Sequence, residues 1–155
     1  MLSVRLVQMI EDHAEQLTQG VIHDLQSNQR TPHYHRLTRE ELHQRTYDVY
    51  RHLGHWLSYK TDEAIEASYT ELARMRFREG VPLSEIVYAL TLLKQHLREY
   101  IGYVGLMDSA VELHQERELR RLVGRFFDRA IYYTVLGYER QMALPHAKGP
   151  AKHAA

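Results

Sequence analysis

The stretch RMRFREGVPLSEIVYALTLLKQHLREYI, Arg74 to Ile101, decides the fold. Gly80 suits the left-handed residue just beyond a helix, and Pro82 suits a first helical turn, where a missing N–H has no partner to lose. Gly-Val-Pro is therefore a joint between two helices. Beyond it Leu83, Ile86, Val87, Leu90, Leu93, Leu97, Ile101 and Val104 recur at three and four residues, the spacing of one buried helical face.

The same period runs outward in both directions. Val7, Ile10, Ala14, Leu17, Val21 and Leu25 mark a first helix, ended by SNQRTPHYHR with its Asn28 and Pro32. A second starts at Thr38, where Glu41 completes a capping box, and carries Leu42, Val49, Tyr50, Leu53, Trp56 and Leu57. Thr61 or Asp62 caps a third, whose stripe is Ile65, Tyr69, Leu72, Ala73 and Phe77. After the helix beginning at Leu83, Ser109 and Glu112 offer another capping box. A last helix follows with Leu119, Leu122, Val123, Phe126, Phe127, Ala130, Ile131, Thr134 and Tyr138. Each stripe can be buried only against others, so the expected fold is all-α. It is an antiparallel bundle of about five amphipathic helices, for which globin-like packing is one arrangement. The helical domain is expected over residues 1–143, with 144–155 as a small, polar, flexible tail.

Composition narrows the function classes. The 155 residues fit one domain. Twenty basic and twenty acidic residues cancel, so no global field draws the chain to nucleic acid or anionic lipid. With no cysteine there are no disulfides, thiolate metal sites or cysteine nucleophiles, which fits a cytoplasmic location. The N-terminus lacks the apolar run of a signal peptide, and no segment reaches the roughly 18 apolar residues needed to span a membrane. No nucleophile and base pair emerges at usable spacing, so an enzyme is not expected.

Several side chains invite a chemical reading. His23 in HDLQSN resembles the phosphoacceptor box of histidine kinases and faces solvent on its helix, but Asn28 replaces the usual proline and no ATP-binding boxes follow. His33 and His35, His52 and His55, and the single Glu40-x-x-His43 do not converge on the three or four ligands of a metal site, so no metal is expected. Haem would need an axial histidine beside an apolar, aromatic pocket. His96, among Leu92, Leu93 and Tyr100, is the candidate. Ala89, Leu92, His96 and Tyr103 form a second semi-apolar stripe on the helix from Leu83, suited to the contact of a homodimer. Arg117, Arg121 and Arg125 make a basic row diluted by Glu116, Glu118 and Asp128, a solvated face rather than a nucleic-acid surface.

Arg76 continues the stripe of Ile65, Tyr69 and Leu72, so its charge points along a buried or half-buried face and requires a partner. A salt bridge to Glu85 is the structural expectation. The functional one is an anion or carboxylate ligand held by Arg76 beside the start of the next helix; His96 and Tyr100 are the other candidate ligand-binding residues.

The segment YTELARMRFREGVPLSEIVYALTLLKQHLREYI, Tyr69 to Ile101, resembles the N-terminal domain family named after RsbRD, a co-antagonist of the RsbT kinase. Such domains carry a similar Leu-Ala, Arg, Gly-Val-Pro-Leu, then Glu and aliphatic pattern, and the likeness covers about Trp56 to Ile101. The resemblance implies an all-helical, non-enzymatic, regulatory module of bacterial signalling, placed ahead of output domains such as STAS modules, histidine-kinase cores or DNA-binding regulators. No output domain follows Met142, so an excised sensor region or a stand-alone member is expected. The expected function is a sensory or dimerisation module that regulates a signalling partner or a fused output domain. The alternatives are a small-ligand or haem-binding sensor and a histidine phosphoacceptor.

Overall fold

The computed structural model describes residues 4–58, 62–107 and 113–145. Among them the chain forms seven α-helices and one short 3-10 turn: α1 (Val4–Asp12), α2 (Ala14–Ser27), the 3-10 turn (Pro32–Arg36), α3 (Arg39–Arg51), α4 (Leu53–Ser58), α5 (Asp62–Arg78), α6 (Leu83–Met107) and α7 (Leu113–Ala143). The all-α expectation is met. The Ser109–Glu112 capping box and residues 146–155 of the tail lie outside the described residues.

Two of the expected helices are each divided, for local reasons. The first breaks at His13, which has φ −98° and ψ 10°, and whose ring stacks on Tyr100 of α6 with centroids 4.2 Å apart. The second breaks at His52, with φ −117° and ψ 33°. Two residues on, the Gly54 N–H donates to the Glu11 carboxylate at 2.9 Å. A carboxylate from α1 thus takes a donor that a continuous helix would have used itself.

The expected punctuation is otherwise in place. Thr38 and Glu41 form the full capping box of α3. Gly80 has φ 79°, its N–H donates to Phe77 O at 3.0 Å, and the Val81 N–H donates to Arg76 O at 3.0 Å. This pair of bonds is a Schellman stop, which satisfies orphan carbonyls of α5 and turns the chain into α6.

In the packing, α5 lies along α7, α2 packs on α3 and α6, and α1 touches α3 and α4. Helix α6 contacts both α2 and α7, so it stands between the N-terminal helices and the α5–α7 pair. Burial follows from that position. Ile86, Leu90, Leu93, Leu97, Ile101 and Val104 are buried on its main face, and Ala89 and Leu92 are buried as well. The α5–α7 crossing is close because Gly137 has no side chain: a Cβ there would meet Thr70 Cα at 2.8 Å. Against the same pair, Trp56 of α4 packs on Phe126 of α7 with centroids 5.4 Å apart and edge-on to Tyr69 of α5 at 6.1 Å. Its indole Nε1–H donates to Asp48 at 3.1 Å.

Candidate functional site

The joint between α5 and α6 carries the most concentrated buried charge in the described residues. Arg76, in the last turn of α5, is only 6% exposed. Its Nη1 lies 3.3 Å from Glu79 Oε2, while Arg45 Nη2, reaching across from α3, lies 3.2 Å from Glu79 Oε1. One carboxylate therefore bridges two guanidiniums and ties α3 to the joint. The partner expected for Arg76 was Glu85. That residue is buried at 8% exposure, but its carboxylate instead accepts the backbone N–H of His33 at 2.8 Å and so anchors the 3-10 turn. The difference is one of direction: Glu79 lies three residues beyond Arg76 and reaches back along the helix end, whereas Glu85 points toward the turn.

Beside this clamp lies a cavity of about 50 Å³, walled by Leu25, Leu42, Val49, Leu90 and Leu93 and reached by Tyr34, Tyr69, Arg45 and Arg76. Arg45 Nη1 is buried and has no hydrogen-bond partner among the described residues. A buried donor left in that state is uncommon and costs about 1 to 3 kcal/mol. Burial lowers the Arg76 pKa from its ordinary value, the nearby Arg45 charge adds to the effect, and Glu79 and Tyr34 oppose it. Desolvation pushes the Tyr34 phenol up to about 12, so it stays neutral. The arrangement is a dry pocket with an apolar wall and excess guanidinium donors, suited to holding an oxyanion rather than to proton transfer.

The other sequence candidates are placed elsewhere. His96 and Tyr100 do not join Arg76. His96 Nε2 lies 3.0 Å from Asp24 Oδ2, linking α6 to α2. Axial ligation of haem iron through that nitrogen would require breaking this bond. Burial tends to raise the Asp24 pKa, but hydrogen bonds with His96 and Asn28 together leave it below its ordinary value. Tyr100 stacks between His13 and Tyr103. On the second stripe of α6, Ala89 and Leu92 are covered by this chain's own helices, with Leu92 only 2% exposed, whereas Tyr103 is exposed. The first two consequently offer no surface to a second copy. Their burial follows from α6 being packed on two sides.

His23 is exposed, as its helical phase predicts. His43 pairs with Glu15 at 2.8 Å, His52 pairs with Asp48 at 2.8 Å, and among the described residues no three His, Asp or Glu side chains converge on a metal position. Arg121 is paired with Glu118 at 2.6 Å. Arg45, Tyr34 and Glu79 were not anticipated. Arg45 lies at helical spacing between Leu42 and Val49, the same signal that singled out Arg76, and Glu79 is three residues past Arg76. Tyr34 stands in a turn without periodicity, where no such signal exists.

The described residues thus form an all-helical domain with a charged clamp at the joint between two of its helices. The model of the RsbT co-antagonist protein rsbRD N-terminal domain matches residues 5–145, and the chain belongs to that family. No curated protein and no solved structure matches it.

Proposed function

We propose that this chain is a non-enzymatic module of signal transduction whose state is read by a protein partner or by an attached output domain. The observation that carries the reading is the Arg45–Glu79–Arg76 clamp at the α5–α6 joint. Family membership supports it, since the family's description is of a co-antagonist, a regulatory role. The clamp joins α3 to the turn from which α6 departs, and α6 contacts both sides of the bundle. A change in the clamp would shift α6 between two packed arrangements, the kind of bistable element that a ligand or a partner can bias.

The reading assigns the chain no catalytic residue, metal or haem. No described helix is long and apolar enough to cross a membrane. A cytoplasmic location belongs to the proposal and follows from the signalling role it assigns. Self-association belongs to the same reading, through surface residues such as Tyr103 rather than through Ala89 and Leu92.

The test is genetic and biochemical together. Deleting the gene and replacing it with a folded Glu79→Gln variant should each alter an overlapping set of transcripts, and the purified chain should bind a signalling protein saturably. Unchanged transcripts in both strains, with a metabolite conversion blocked instead, would remove the proposal.

A further inference from the structure

We propose, resting on the signalling reading above, that the cavity between Arg45 and Arg76 binds a small monocarboxylate of acetate or propionate size, and that this is the signal the domain receives. Five observations support the site. Among the described residues, Arg45 Nη1 is a buried donor without an acceptor. Arg76, more than nine-tenths buried, lines the same cavity. The two guanidiniums share one carboxylate, Glu79, whose side chain is 35% exposed and closes the cluster on its outer side. The remaining wall is made of Leu42, Val49, Leu90 and Leu93, which suit an alkyl tail. Its volume of about 50 Å³ leaves room for more than one water, hence for a molecule of a few heavy atoms.

The chemistry selects among occupants. Water would give Arg45 an acceptor but would not offset a positive charge in an apolar pocket. Two arginines and Glu79 leave one positive charge in excess. Glu85 supplies a further negative charge nearby, yet it is directed at the His33 amide, and among the described residues it forms no ion pair with either guanidinium. Burial lowers the Arg76 pKa and the neighbouring Arg45 charge lowers it further, while Glu79 opposes both. A carboxylate presents two coplanar oxygens that match guanidinium donors, and its single charge balances the excess. Phosphate is part monoanion and part dianion near neutral pH; the dianion would overcompensate, and both forms would lose more hydration than a carboxylate on entering this wall.

Binding is measured by calorimetry and thermal shift at constant ionic strength, with acetate, propionate, propionamide, phosphate and chloride as probes. Propionate and acetate should raise Tm saturably, because a ligand of the native state stabilises it by mass action. Propionamide, the neutral isostere, should not. Arg45→Gln and Arg76→Met should each weaken propionate binding at least about tenfold, as expected for loss of a charged hydrogen bond. Ala89→Val should do the same by narrowing the cavity without changing any charge. Should the arginine variants fail to fold, NMR of the wild type serves instead, with propionate expected to shift the Nε–H signals of both Arg45 and Arg76. No saturable response to either acid, or equal responses to phosphate and chloride, would overturn the site. Propionate binding without any change in transcripts in cells carrying Ala89→Val would leave the site standing and remove the signalling role.

Discussion

Gly137 of α7 presses against the backbone of Thr70 in α5, so closely that a Cβ on the glycine would meet Thr70 Cα at 2.8 Å and Thr70 O at 3.1 Å. Backbone atoms cannot step aside as the end of a flexible side chain can. Gly137→Ala should therefore separate the α5–α7 pair. Overpacking costs about 1 to 3 kcal/mol, against a gain of about 1 kcal/mol from helix propensity, for a net loss of up to about 2. Gly124 in the same helix has open space around its Cα, so Gly124→Ala should stabilise by roughly 0.5 to 1 kcal/mol. Urea midpoints of the two variants should move in opposite directions; parallel shifts would contradict this packing.

Removing the shared carboxylate should cost more than removing either arginine. Glu79→Gln leaves two guanidiniums facing each other with no counter-charge, and the expected loss is about 1 to 3 kcal/mol, held down by the partial exposure of Glu79. Arg76→Met leaves Glu79 still paired with Arg45 at 3.2 Å, so its effect should be smaller. The double variant should recover part of the Glu79→Gln loss, a coupling that a double-mutant cycle measures. Strict additivity would show that the three side chains do not act together.

Leu92→Glu should unfold the chain rather than dissociate an oligomer, because Leu92 is buried inside the protomer. Leu90→Ala and Phe126→Ala, at other buried positions, should each lower stability by roughly 2 to 5 kcal/mol. Circular dichroism with sedimentation separates the outcomes: a helical, folded Leu92→Glu monomer would show that α6 exposes this face.

Acidification should destabilise the fold between about pH 7 and 5. Burial lowers the pKa of both His13 and His33 from 6.5, and for His33 the Arg36 charge adds to it. The unfolded chain therefore binds protons at these sites more readily than the native one, and stability rises with pH. The contribution is full above the unfolded value and is lost as pH falls through it toward the lower native values. Asp24, depressed in the fold, adds a further loss only near and below 3.8. The urea midpoint should drop from pH 7.5 to 5.5, and His13→Phe, which keeps a ring against Tyr100, should flatten the slope. A midpoint that rises on acidification would refute this account.

The stripes, the Thr38–Glu41 box and the Gly80 stop were legible because each is written in residues three or four apart. The breaks at His13 and His52 were not, since both depend on distant partners, Tyr100 for the first and Glu11 for the second. The same distinction separates Arg76, placed correctly on a buried face by its spacing, from its partner. Periodicity shows that a charge is buried and is silent on which carboxylate turns toward it. Nor can it say whether a second apolar stripe, such as Ala89 and Leu92, meets another helix of the chain or another molecule.

Trp56 is the one tryptophan among eleven tyrosines, and it stands where α4, α5 and α7 meet. Selective excitation near the red edge of indole absorption therefore views a single junction of the molecule. Its buried ring should emit at short wavelength in the native state, and parting of α5 from α7 should shift that emission to the red. Trp56 does not itself line the Arg45–Arg76 cavity, but its ring meets the edge of Tyr69, which does. An emission change on adding a carboxylate would thus be an optical record of what the pocket passes to this junction through Tyr69, obtained without attaching any dye.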